Sequence, residues 1–266
     1  MSNKWRVALI QMDVALGNPK ENRQKARKMT ENLRESGKKI DVVLLPELWD
    51  TAYDLERLDD IADEQGENAQ AFLKDIAQSL HSNVWGGSIA ERKEDGVYNT
   101  SYLFDRQGKL VGTYSKAHLF KLMNEHQFLQ SGDQPGLYEM DDQQVGGVIC
   151  YDIRFPEWIR QHAVKGAKVL FVCAQWPNPR LAHWRALLIA RAVENQMYVV
   201  ACNRVGTDAA SSFFGHSMVI DPWGEVIAEA GEEETILTAE IDLDIVDQVR
   251  SKIPVFTDRR PDIYSW

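Results

Sequence analysis

Short apolar runs enriched in β-branched residues recur along the whole chain, and no other feature of the sequence limits its fold so tightly. They fall at 6–12, 41–45, 83–90, 99–105, 110–115, 144–151, 168–173, 197–203, 216–221 and 235–241. Runs of this length read as strands. Between several of them the apolar spacing lengthens to a helical period, at 21–36, 67–81, 156–165, 179–195 and 242–252. Strands and helices alternate towards both ends, whereas the middle holds consecutive strands joined by turns such as Arg106-Gln107-Gly108-Lys109. The expected class is therefore α/β, with mixed sheets layered against helices rather than one doubly wound parallel sheet.

With 266 residues and 44% hydrophobic content the chain can bury a full core, and no break in composition divides it. A single domain over 1–266 is expected. The segment PVFTDRRPDIYSW is aromatic but aperiodic, so a tail from about 253 to 266 is expected to dock on a partner subunit. No apolar stretch reaches membrane-spanning length and no leader pattern opens the chain, which points to a soluble, cytoplasmic protein. Three widely spaced cysteines fit a reducing compartment better than a disulfide framework. A formal net charge of -10 without a basic stripe argues against a nucleic-acid partner. The Lys/Arg-rich stretch at 20–39 is broken by glutamates and reads as a solvated helix face.

Chemistry gathers where strands stop. DVVLLPE ends in Glu47, LVGTYSK in Lys116 and VGGVIC in Cys150. Strand ends are where α/β folds place their reactive groups. Any one of these could be an ordinary surface terminus, but the three together are what acyl transfer from a carbon-nitrogen bond requires. A thiol must lose its proton to a base, and the oxyanion that follows needs a fixed positive charge.

The motifs LLPEL around Glu47, YSKAHLF around Lys116 and GGVICYDIRFPE around Cys150 resemble those of the nitrilase superfamily of carbon-nitrogen hydrolases. The likeness extends from RVALIQMDV through ARAVENQMYVVACNRVG and GHSMVIDPWGEV to the tail. It implies a four-layer α-β-β-α sandwich of two mixed sheets flanked by helices, commonly a homodimer. It implies a Glu47-Lys116-Cys150 triad, with Lys116 and the Tyr151 N–H at the oxyanion and a second glutamate, Glu125, holding the lysine and substrate. It also implies a small-molecule amide and water as reactants, with no metal and no organic cofactor. No metal-ligand spacing, phosphate loop or dinucleotide fingerprint is seen in the sequence.

Within the superfamily the resemblance runs to the omega-amidase branch, which removes the terminal amide of α-keto acid amides such as 2-oxoglutaramate. There Arg154 is expected to meet the substrate carboxylate, the rival being a pair with Asp152 or Glu157. The segment WPNPR resembles a bacterial omega-amidase subgroup associated with methionine salvage, making Arg180 a second carboxylate contact or a helix cap. Trp176, Tyr53 and Phe120 are candidate pocket walls, with aromatic packing as the alternative. Cys173 and Cys202 read as buried small hydrophobes. Other readings stay open: an N-carbamoyl amino-acid hydrolase or nitrilase with the same triad, a Cys-His hydrolase using His118 or His216, or a non-catalytic binding protein on this fold.

Overall fold

The computed structural model describes residues 3–208 and 211–264, so the last two residues of the expected tail lie outside it. The first half runs β1 (Lys4–Gln11), α1 (Pro19–Glu35), β2 (Val42–Leu44), α2 (Leu58–Ile61), β3 (Asp63–Glu64), α3 (Glu67–Leu80), β4 (Asn83–Trp85), β5 (Ile89–Lys93), β6 (Gly96–Phe104) and β7 (Leu110–Ser115). Then follow α4 (Glu125–Phe128), β8 (Leu137–Met140), β9 (Gln143–Ile149), α5 (Pro156–Val164), β10 (Val169–Ala174), α6 (Leu181–Asn195) and β11 (Tyr198–Asn203). The chain closes through β12 (Val205–Thr207), β13 (Ser212–Phe214), β14 (Met218–Ile220), β15 (Val226–Glu229), β16 (Thr235–Asp242) and α7 (Asp244–Lys252).

Among the described residues these strands build two large mixed sheets. The first is ordered β16-β1-β2-β4-β6-β5-β3, with β7 also paired to β6, and the second β15-β14-β11-β10-β9-β8. In β1 the two-residue strand period sorts side chains between layers: Ala8 and Ile10, with Met12 just beyond the strand, face one cluster, Trp5, Val7 and Leu9 the other. The outer cluster is covered by Ala26 and Leu33 of α1 and by Phe72, Leu73 and Ile76 of α3. In the inner cluster that face of the first sheet meets the second, whose central strands β10 and β11 are buried along their whole length. Ile159 and Ala163 of α5 and Trp184, Leu188 and Ala192 of α6 cover its far side. The layers run α-β-β-α, as the resemblance implied.

Local chemistry starts and stops these elements where the fold needs them. Asn18 caps α1 by accepting the Glu21 N–H, with Pro19 at the first helical position. The stripe Asn22, Ala26, Thr30 and Leu33 then turns inward, while charged residues between them face out.

Two expectations need correcting. The run 83–90 is two strands, because Gly86, Gly87 and Ser88 turn away between β4 and β5. Gly87 has φ +60, and a Cβ there would lie 2.1 Å from the Pro46 carbonyl oxygen, so the break lets this turn press against the segment before Glu47. The run 144–151 stops at Ile149, and Cys150 opens a helical turn at φ +46, a left-handed value uncommon outside glycine. The tail begins by docking on its own subunit: Arg160 and Arg250 stack on Phe256, and Gln196 donates to the Ile253 carbonyl.

The sheets meet closely at Gly147 of β9, where a Cβ would fall 1.7 Å from the Trp85 ring, itself stacked on Phe171 at 5.5 Å. Gly147→Ala is expected to cost about 1–3 kcal/mol, as overpacking does, read from the urea midpoint. An unchanged midpoint would mean that the sheets do not meet there.

Candidate active site

Three strand ends from both sheets converge on one buried cluster. Glu47 stands in the turn after β2, Lys116 directly follows β7, and Cys150 directly follows β9. Glu125 opens α4. Glu47, Lys116 and Glu125 have no exposed surface, and Cys150 retains 5%. The Lys116 ammonium donates to Glu47 Oε1 and to Glu125 Oε1, both at 2.7 Å. Glu47 Oε1 also accepts from Asn99 at 2.9 Å and lies 2.9 Å from the Tyr53 hydroxyl, which stands 2.7 Å from Glu125 Oε1. Glu47 Oε2 accepts the Gln175 backbone N–H at 2.9 Å, and Glu125 Oε2 accepts the Phe120 N–H at 2.8 Å.

Burial works against the charge on Lys116, but Glu125 and Glu47 outweigh it and hold its pKa well above the ordinary lysine value. For Cys150 burial acts the other way and is reinforced by the Glu47 charge; the nearby ammonium does not compensate, so the thiol is pushed well up. The Glu47 carboxylate is close enough to add to that upward shift. A neutral thiol held against a carboxylate can attack only by passing its proton to that carboxylate as the bond forms.

The turn that presents Cys150 is braced by Asp152. Its Oδ2 accepts from the Ile149 N–H at 3.0 Å and the Tyr114 hydroxyl at 2.7 Å. Its Oδ1 accepts the His118 N–H at 3.0 Å and lies 2.7 Å from the His118 ring nitrogen. One buried carboxylate thus ties the loop after Lys116 to the Cys150 turn. His118 stacks on Phe155 at 3.8 Å, and His216 pairs with Glu229 at 2.7 Å. Neither lines the cavity at Cys150.

That cavity, narrow at about 10 Å³, is walled by Tyr53, Phe120, Tyr151, Arg154, Trp176 and Arg180, with Gln175 and Pro177. All the pocket residues expected from the sequence therefore meet at the thiol. Arg154 stacks over the Trp176 ring at 4.6 Å and approaches the His183 ring nitrogen at 3.4 Å. Asp152, its expected alternative partner, is already held by the bonds above. Arg180 sits at the cap position of α6, but its side chain makes no capping bond.

The model of the carbon-nitrogen hydrolase family matches residues 6–251. The chain belongs to that family. It is 51% identical to a 2-oxoglutaramate amidase of Bacillus subtilis (strain 168) over 98% of this chain and all of that one. It is 35% identical to an omega-amidase of Bos taurus over 98% of this chain and 96% of that one. Among solved structures, a carbon-nitrogen hydrolase superfamily protein of Xanthomonas campestris with an arsenic adduct in its active site superposes with a TM-score of 0.90 at 30% identity, covering 97% of both chains.

Asn99, Gln175 and Asp152 were not foreseen as part of this carbon-nitrogen hydrolase site. A signal for Gln175 existed, since it follows VLFVCA as Glu47, Lys116 and Cys150 follow their own strands. Asn99 lies inside β6 and Asp152 inside the turn, positions that strand-end reasoning does not reach.

In the resting enzyme the ultraviolet thiolate signal lost on Cys150→Ala should stay negligible at neutral pH and appear only above the ordinary thiol value of about 8.5. Glu47→Gln, by removing a charge that raises the thiol pKa, should bring that signal to lower pH. A thiolate already formed at neutral pH in the unaltered protein would contradict the proton-transfer geometry.

Proposed function

We propose that this carbon-nitrogen hydrolase releases ammonia from the terminal amide of a small α-keto acid, with 2-oxoglutaramate as substrate, through a thioester on Cys150. In this reading Cys150 Sγ bonds to the amide carbon while its proton passes to Glu47. The carbonyl electron pair moves onto oxygen, which Lys116 and the Tyr151 N–H receive. Glu47 then gives the proton to nitrogen, the carbon-nitrogen bond breaks, and ammonia leaves. A water attacks the thioester, its proton going to Glu47 and then back to sulfur as the acid departs. Glu125 holds Lys116 in place throughout. These steps use the protein's own side chains, one backbone N–H and water.

The observation that carries the substrate choice is the pair of guanidinium groups in the cavity wall. Among the described residues no carboxylate lies within ion-pair distance of Arg154 or Arg180, so the charge they would bind comes with the ligand. The name borne by the Bacillus subtilis relative supports the same choice, and the WPNPR resemblance supports a role in methionine salvage. A cytoplasmic setting suits three buried, unpaired cysteines, and no described helix is long and apolar enough to cross a membrane. We further propose that the groove beside α5, with Val164 and Tyr264 exposed on its wall, receives a second copy of the chain to form a homodimer.

Ammonia release should be confined to 2-oxoglutaramate when it is assayed beside glutamine, an N-carbamoyl amino acid and an aliphatic nitrile, and Cys150→Ala should be silent. Preference for another compound would overturn the substrate, and silence on all would favour a binding protein. Arg154→Ala or Arg180→Ala should raise KM for 2-oxoglutaramate about 10- to 100-fold more than for an uncharged amide, matching the worth of a charge-assisted pair. Equal effects on both would make the arginines structural. Sedimentation should give a dimer that Val164→Asp dissociates; a monomer in the unaltered protein would remove the dimer proposal.

A further inference from the structure

Arg204, which follows β11, has no exposed surface, and a buried guanidinium is costly unless its donors are used. Its Nη2 donates to Asp13 Oδ1 at 3.0 Å and the Val14 carbonyl at 2.9 Å, and its Nε to the Val205 carbonyl at 3.1 Å. The group lies over the Phe213 ring at 4.1 Å. Its remaining arm points towards the reaction: Nη1 donates to Gln175 Oε1 at 3.0 Å. The Arg204 backbone N–H also donates to the Ala174 carbonyl, immediately before Gln175.

A guanidinium can only donate, so it decides which end of the Gln175 amide faces it. The Nε2 end is left to donate to the Glu47 carbonyl at 2.7 Å and the Leu48 carbonyl at 3.2 Å. Leu48 has φ +39, a conformation that needs outside support, and its N–H is held by Ser88 Oγ at 2.9 Å. The Gln175 backbone N–H completes the grip at Glu47 Oε2. Lys116, Asn99 and Tyr53 crowd Glu47 Oε1, whereas among the described residues Oε2 accepts from the Gln175 N–H, so Oε2 is the less crowded oxygen and has room to take a proton.

We propose that Arg204 and Gln175 are positioning residues: Arg204 sets the direction of the Gln175 amide, and Gln175 fixes the strained turn and the oxygen through which Glu47 exchanges protons. The proposal rests on the reading of Glu47 as the proton-transfer group. Gln175 lines the cavity at Cys150, but the role proposed for it and for Arg204 is exercised through Glu47.

Full-length Gln175→Leu, Arg204→Met and the double variant are compared for kcat and KM on 2-oxoglutaramate, per folded protein by circular dichroism. Each single change should lower kcat about 10- to 100-fold, the effect of a misplaced group, with KM within about twofold. The double variant should be no worse than the more damaged single one, since Arg204 acts through Gln175. Multiplied losses, or full kcat in a folded single variant, would overturn the proposal. If Arg204→Met does not fold, Asp13→Ala, at a side chain 41% exposed, still loosens Arg204 and should lower kcat several-fold with KM unmoved; unchanged kcat would count against it. Glu47→Gln separates the two readings. If that variant keeps most of its activity, the acid-base assignment itself fails; if it is inactive while Gln175→Leu is fully active, only the positioning proposal fails.

Discussion

An ammonium ion sealed between two carboxylates is what the rest of the molecule must accommodate. Lys116 meets Glu47 and Glu125 at 2.7 Å, with all three side chains fully buried. Desolvating three charges is expensive and is offset only when each is paired and hydrogen-bonded in fixed geometry. Asn99, Tyr53 and the backbone N–H groups of Gln175 and Phe120 provide the additional contacts. Burial of Cys150 and the neighbouring Glu47 charge both work against an anion at sulfur, and the Lys116 ammonium does not offset them, so the thiol pKa is pushed well up.

The two-sheet architecture makes this arrangement possible. Glu47 and Lys116 hang from the first sheet and Cys150 from the second, so the packing of one sheet on the other brings carboxylate, ammonium and thiol together. Close approach depends on Gly147, which leaves room for the Trp85 ring between the layers. Both reactive turns hold backbone in the left-handed region, at Leu48 and Cys150. Each is braced by a buried polar side chain with several partners, Gln175 for the first and Asp152 for the second. The second brace reaches across to the loop after Lys116 through His118, so the Cys150 turn and that loop share one carboxylate.

Much of this was legible in the chain because strand periodicity and the abrupt polar residue at each strand end are local signals. Lys116 and Cys150 stand one residue beyond their strands, and Glu47 three. The split of 83–90 was not legible, since the apolar run continues through Gly86 and Gly87 and only the neighbouring Pro46 carbonyl shows why the chain turns there. The four-layer order came from resemblance to a known family rather than from periodicity, which cannot tell which face of a buried strand meets which layer.

By itself, then, the sequence determined the element types, the strand-end residues able to do acyl chemistry, and the net charge of -10. Those properties follow from local propensity, side-chain chemistry and charge. Tertiary structure decided the partners: that Asp152 braces a turn rather than pairing with Arg154, that Arg154 and Arg180 face the thiol without carboxylate partners among the described residues, and that Arg204 reaches Glu47 through Gln175. Contacts between residues as distant as Glu47 and Gln175 exist only once two sheets have packed, because they depend on register and layer order that no local stretch encodes.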